Sequence, residues 1–245
     1  MRLPPIEALD EVDSTNAEAR RRAERGEVGP LWITALRQTA GRGRRGRGWE
    51  TGGGNLAATR LSTTSKPPAD AAQVSFVAAL AVADLAGRYL PASLVSLKWP
   101  NDLLVADRKS AGILVESGVH PTGGLWLAIG VGVNLATPPA AAERPATAFA
   151  EHMASPPPEP AEALHVLAEA FEGWREVWER MGFAPIAAAW TARAHGLGGV
   201  CTARLPGETV AGRAEGLDPD GALRLRTPAG AVRRITAGEV FFGEG

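Results

Sequence analysis

Two stretches carry residue types that could do chemistry. From Gly41 to Gly54 the chain reads GRGRRGRGWETGGG, with seven glycines and four arginines around Trp49. Glycines let backbone N–H groups approach an anion with no Cβ in the way. Arg42, Arg44, Arg45 and Arg47 add forked, permanently charged donors that match phosphate geometry. The second stretch is Lys98-Trp99-Pro100-Asn101-Asp102 with Lys109 after it, which gathers two lysines, an amide and a carboxylate around one short hairpin. Lys109 opens an otherwise apolar strand, so its stem is expected to be packed and its amine pointed. Together they suggest a phosphate-bearing small molecule under a loop that orders on binding it.

Other readings of the loop stay in play. A Gly/Arg run can be a linker, but apolar runs at Leu31–Leu36 and Asn55–Leu61 flank it closely and place it inside a folded domain. An RGG-like nucleic-acid segment, with Trp49 as a stacking platform, remains an alternative. No G-x-x-x-x-G-K-[ST] occurs, so it is not a Walker A loop. Gly41, Gly43 and Gly46 fit G-x-G-x-x-G, yet no helix pattern follows.

Smaller polar groups extend the set. Val12–Asn16 (VDSTN) stands before the helical pattern AEARRRAERGE. Hydroxyls and amides there usually cap the helix, and the same groups can bind a polar ligand. Thr15 and Glu18 fit a capping box, and Gly26 a helix stop. Gln38 closes a strand where the loop begins, and its amide both donates and accepts, as an amide-like or ureido ligand requires. Gly130 and Gly132 lie in a strand running to Asn134, and glycines inside a strand mark close backbone approach.

Positioning these groups calls for a mixed α/β domain. Leu31–Leu36, Asn55–Ser62, Leu94–Lys98, Leu103–Val105, Lys109–Glu116 and Leu125–Leu135 read as strands, with Ala106-Asp107-Arg108 turning a hairpin. Ala71–Leu90 is apolar on most faces and reads as a core helix. Its apolar run between Asp70 and Asp84 is too short for the roughly 20 residues that span a bilayer. Helices are expected around Ala146–Met153, over Ala161–Met181 and over Ala184–His195. After Gly196–Gly199 come short β runs at Val200–Leu205, Thr209–Leu217, Leu223–Thr227 and Val232–Ile235, spaced by turns as in a small barrel. The expected division is residues 1–196 and 197–245, the smaller piece leaning on the larger for support.

Composition narrows the function classes. The 245 residues are 45% hydrophobic and 22% charged, with a formal net charge of −1. This is an ordinary globular mixture, and it counts against a general nucleic-acid binder, which needs a broad basic face. Cys201 is the single cysteine, which excludes an intrachain disulfide and a cysteine-cluster metal site and fits a cytoplasmic protein. The four histidines show no metal-ligand spacing. The N-terminus carries acids where a signal peptide needs an apolar core.

The ordered set VDSTN, Gln38, GRGRRGRGW, KWPNDL, DRKSAGIL and GVGVN resembles the biotin protein ligases over nearly the whole chain. The Gly/Arg loop and KWPND…K…GIL are specific as a pair. The resemblance implies a mixed central sheet with flanking helices, like the class II synthetases, followed by an SH3-like C-terminal barrel. It implies ATP- and Mg²⁺-dependent activation of biotin as biotinyl-5′-AMP, then transfer to a lysine of a biotin carboxyl carrier protein such as that of acetyl-CoA carboxylase.

By the same resemblance, Ser14, Thr15, Asn16, Gln38 and Gly112 would bind biotin. Arg42, Gly43 and Arg44 would close over biotin and the phosphates. Arg45 and Arg47 would support the Gly/Arg loop and, with Trp49 and Asn101, serve the nucleotide, with Asn134 at the adenylate end. Lys109 would touch both the biotin carboxylate and the α-phosphate, and Asp102 would lie near the incoming lysine. Lys109, Arg44 and Asp102 form the expected catalytic set. No protein cluster is expected to hold the metal, which enters with ATP. VDSTN begins near residue 12, leaving no room before it for a helix-turn-helix, so no DNA partner is expected, nor a membrane. Exposed sheet edges leave a homodimer open. Lipoate-type ligases, which share the general fold, are the alternative within the enzyme class.

Overall fold

The computed structural model describes residues 2–140 and 145–243. Seven strands form a large sheet: β1 (Ile6–Val12), β2 (Leu31–Gln38), β3 (Leu56–Thr64), β4 (Val95–Lys98), β5 (Asp102–Val105), β6 (Arg108–Val119) and β7 (Leu125–Val133). Their order is β1-β2-β3-β7-β6-β5-β4, parallel between β1 and β2 and antiparallel at every other pairing. Strand alternation gives the sheet two unlike faces. On one, Leu56, Ala58, Ile129, Val131, Val133, Ala111 and Ile113 join the main core. On the other, Leu61 and Ala128 join a smaller cluster, and Thr59, Gly130, Gly132 and Gly112 share that side.

Four helices belong to the main core: α2 (Pro68–Ala71), α3 (Val74–Tyr89), α4 (Pro160–Met181) and α5 (Phe183–Thr191). Every residue of α3 from Val77 to Ala83 is buried. A helix apolar all round belongs inside a core. Pro68–Tyr89 is also the one stretch, among the described residues, long and apolar enough to cross a membrane, and here it packs between the sheet and α4 and α5. On the opposite face lies α1 (Thr15–Glu24), whose Ala19 and Ala23 rest on Leu31, Ile33, Leu61, Trp126 and Ala128. Because α1 sits over β2, β3 and β7, the β5–β6 part of that face is left to the Gly/Arg loop.

Several expectations are corrected. Ser14, not Thr15, is the N-cap of α1, its Oγ accepting from Ala17 N–H, while Glu18 turns to Arg21 and Arg22 instead of closing a capping box. Residues 146–153 hold only a 3-10 turn at Phe149–His152, because the segment before it runs extended beside Lys109. The last helix stops at Thr191, and the chain then bonds to Leu97 along the β4 edge. The first strand, masked in the sequence by Glu7, Asp10 and Glu11, is an edge strand that buries little.

The C-terminal strands β8 (Val200–Leu205), β9 (Glu208–Leu217), β10 (Leu223–Arg226), β11 (Val232–Ile235) and β12 (Glu239–Phe242) form an antiparallel sheet ordered β11-β10-β9-β8-β12. The fifth strand was not expected. Cys201, Ala203 and Val240 join the same apolar cluster as Phe76 and Trp190, and Trp99 Nε1 donates to Gly221 O at 3.1 Å. The second sheet thus leans on the first.

Candidate active site

The loop from Gly41 to Trp49 folds as a small hairpin. Arg42 and Gly48 bridge, Gly43 N–H donates to Arg47 O at 2.7 Å, and Trp49 N–H donates to Gly41 O at 2.9 Å. Arg45 (φ 58°) and Gly46 (φ 73°) turn its tip, both in the left-handed region that glycine enters most readily. Beneath it lies a cleft of about 450 Å³ along β6 and β7.

Glycines make the floor. A Cβ on Gly132 would fall 2.3 Å from the Trp49 ring, and one on Gly130 would fall 2.2 Å from Asn16 Oδ1. Gly112 lies under both the Trp49 ring and the Lys109 amine. These three positions let side chains lie flat where a methyl would lift them.

One end of the cleft is neutral and polar. Gln38 Oε1 accepts from Thr15 N–H at 2.9 Å and from the Thr15 hydroxyl at 3.2 Å, and Gln38 Nε2 donates to Thr51 Oγ1 at 3.0 Å. Thr59 Oγ1 is 2.7 Å from Asn16 Oδ1 and 2.8 Å from Thr15 Oγ1. Asn16 Nδ2 donates to Leu114 O and, at 2.8 Å, to Glu116 Oε2. Ser14 is buried beside them at the helix start.

The other end is charged. Lys109 Nζ is 2.6 Å from Asp102 Oδ1 and 5.6 Å from the centre of the Trp49 ring. Arg44 Nη1 donates to Asn101 Oδ1 at 3.0 Å, and Asn101 Nδ2 donates to Ile113 O. Burial, then the charge of Arg45, pulls the Arg44 guanidinium below its usual range. Asn134 is buried at this end, its Nδ2 donating to Thr147 O at 3.1 Å. The Lys109 amine folds back over Gly112, two residues of β6 from Leu114 beneath Asn16, or roughly 7 Å at a strand's rise.

The structure brings nearly all the expected residues to this one cleft: Ser14, Thr15, Asn16 and Gln38 at one end, Arg42, Gly43, Arg44, Arg47 and Trp49 above, and Asn101, Asp102, Lys109, Gly112 and Asn134 at the other end or below. Arg45 does not line the cleft but faces Glu239 of β12 at 3.9 Å, and Arg47 pairs with the same carboxylate. Arg42 reaches Glu116 at 3.6 Å. Thr59, Glu116 and Glu239 were missed in the sequence. Thr59 carries a strand-alternation signal opposite a cap, but Glu239 meets the loop only through the tertiary fold. Cys201 takes no part: it is wholly buried, and desolvation pushes its thiol up to about 11.

Residues 11–134 match the Biotin/lipoate A/B protein ligase family, and residues 196–243 match the Biotin protein ligase C terminal domain. A biotin--[acetyl-CoA-carboxylase] ligase of Paracoccus denitrificans is 44% identical, with 96% of this chain and 99% of that protein covered. Biotin protein ligase from Aquifex aeolicus, solved in complex with biotin and ATP, superposes with a TM-score of 0.82 at 24% identity over 98% of this chain and 99% of that one. The Leishmania major ligase, solved with biotinyl-5-AMP, gives a TM-score of 0.65 at 27% identity over 96% and 99%. By the family match across its first half and the near full-length relative, the chain belongs to the biotin/lipoate A/B protein ligase family.

Proposed function

We propose that this protein is an ATP-dependent biotin ligase, which activates biotin as biotinyl-5′-AMP and passes it to a lysine of a biotin carboxyl carrier protein. The observation that carries this reading is the polarity of the cleft. A neutral hydrogen-bonding end, Ser14, Thr15, Asn16 and Gln38, suits a ureido head. A cationic end, Lys109 and Arg44, lies about an acyl chain's length away along β6.

In the first step a biotin carboxylate oxygen attacks the α-phosphorus of ATP and the bond to pyrophosphate breaks. Two anions must meet for this. Lys109 and Arg44 offset their repulsion and stabilise the charge that grows on the phosphoryl oxygens. In the second step the neutral amine of the acceptor lysine attacks the acyl carbon and AMP leaves. Asp102, once Lys109 turns to the phosphate, is placed to take the proton from that lysine. The loop excludes water from an acyl-adenylate that would otherwise hydrolyse. Residues 1–196 would hold both small substrates, and residues 197–245 would brace the loop through Glu239.

Magnesium fits as a companion of ATP. Among the described residues no group of three or more His, Cys, Asp or Glu could hold a metal, but Mg²⁺ usually takes only one or two carboxylates besides phosphate oxygens. Asp102 is the carboxylate beside Lys109 that suits this, and the ion would neutralise phosphate charge. The nucleic-acid alternative loses support from the loop itself, where Arg42, Arg44, Arg45 and Arg47 turn onto Glu116, Asn101 and Glu239.

Pyrophosphate exchange with purified protein, ATP and Mg²⁺ tests the reading, comparing biotin, lipoate and no acid. Exchange with biotin alone is expected. Exchange with lipoate alone would move the substrate to the other branch of the family, and exchange with neither acid would remove the adenylation chemistry.

A further inference from the structure

β7 stops pairing with β6 at Val133, opposite Ala111, two residues short of Lys109. From there Pro145–Thr147 takes over as the neighbour of β6, bridging in parallel at Lys109 and Ala146. Lys109 N–H donates to Pro145 O at 3.0 Å, and Thr147 N–H donates to Lys109 O at 2.9 Å. The carbonyl of Thr147 accepts from Asn134 Nδ2 at 3.1 Å. One residue therefore holds the backbone of Lys109 and the side chain of Asn134, both at the charged end of the cleft.

Thr147 is in turn held by its hydroxyl. It is fully buried, with Oγ1 2.7 Å from Glu151 Oε2 and 2.9 Å from His152 Nε2. The hydroxyl donates to Glu151, and His152 Nε2, which also faces Arg108 Nη2 at 3.5 Å, lies on its other side. Glu151 pairs with Arg108 at 3.1 Å, and Arg108 is joined by a peptide bond to Lys109. The contacts close a ring: Lys109, Thr147, Glu151, Arg108 and back to Lys109. Deleting this buried hydroxyl removes both bonds that tie Thr147 to Glu151 and His152.

We propose that Thr147 is a positioning residue for adenylation, acting through Lys109. The proposal rests on the ligase reading above. It assigns a role in the chemistry to a side chain that never faces the cleft.

The test is biotin-dependent ATP–pyrophosphate exchange by the full chain. Thr147→Val keeps the shape and deletes the hydroxyl. Its kcat is expected to fall roughly tenfold, as a slightly displaced reacting group does, with KM for biotin within twofold. Thr147→Ser should recover most of kcat. Because the effect runs through Lys109, Thr147→Val should cost little more in a Lys109→Ala background. Full additivity there, or kcat within twofold of wild type in the single variant, overturns the proposal. Should Thr147→Val fail to fold, Glu151→Ala at an exposed position decides: lost kcat supports the ring and unchanged kcat overturns it. Wild-type protein that does not exchange with biotin sinks the ligase reading first, before any variant is compared.

Discussion

The Lys109 ammonium stands 2.6 Å from Asp102 Oδ1, across the β5–β6 pairing, at an angle outside hydrogen-bond geometry. The contact is an ion pair, and a substrate anion competes with Asp102 for the same ammonium. Such an arrangement suits a lysine that must leave its resting partner and a carboxylate that is needed afterwards. Lys109→Ala is expected to lower exchange by about a hundredfold or more, the usual loss when one preorganised electrostatic contact is removed. Lys109→Arg should recover little, because a planar fork cannot replace a point charge packed against Trp49. A folded Lys109→Ala variant within threefold of wild type would remove the residue from the mechanism.

Gly132→Ala places a methyl in the seat of Trp49, within 2.3 Å of its ring by present geometry. The ring must lift, and overpacking of this kind costs about 1–3 kcal/mol. The expected result is a KM for ATP raised roughly tenfold, accompanied by a shift in tryptophan emission. An unchanged spectrum and KM would mean that Trp49 has no fixed place over β7.

How much of this was legible in the sequence depended on what each residue's signal was. The loop, the hairpin before Lys109 and the glycines of β7 announced themselves through local chemistry that few other contexts demand, and they do converge on one cleft. Gln38 was legible because it ends a strand where the loop starts. What stayed hidden depends on distant chain. Glu239 reads as one acid in a short terminal strand, and only the packing of the second sheet brings it to Arg45 and Arg47. Arg60 sits in β3 on the same side as Leu56 and Ala58 of the main core, and only α4 explains how its charge is tolerated. Ser14 outcompeted Thr15 as cap because Thr15 is already turned inward to Gln38 and Thr59.

Glu239 gathers the loop tip onto β12, and its loss should be felt in the loop more than in the fold. Partly exposed ion pairs contribute about 0–1 kcal/mol to stability. Glu239→Gln is therefore expected to melt near wild type while trypsin cuts faster between Arg42 and Arg47. Equal cutting rates in the two proteins would show that the loop is held by other contacts.

Cys201 should be chemically silent in the folded state. Burial raises its thiol to about 11, so little thiolate exists at pH 8 and no path reaches it. Iodoacetamide at pH 8 is expected to leave native protein unlabelled and to label it fully in urea. Fast native labelling would mean that the second sheet opens readily.

Arg60 and Glu172 form a pair 2.7 Å apart, each side chain only 4% exposed, under the main sheet. Removing one member of such a pair costs about 3–5 kcal/mol, whereas replacing both by apolar residues is often neutral. The two single losses should differ. Glu172 also accepts from Arg175 at 2.6 Å, so Arg60→Leu leaves the carboxylate with a cation. Glu172→Leu instead strands Arg60 in the core with only the face of Phe171 beneath it, and burial already disfavours that charge. Urea unfolding should therefore rank Glu172→Leu as the more destabilising variant, with the double Leu variant nearest wild type. The reverse order would mean that Arg175 does not share the carboxylate.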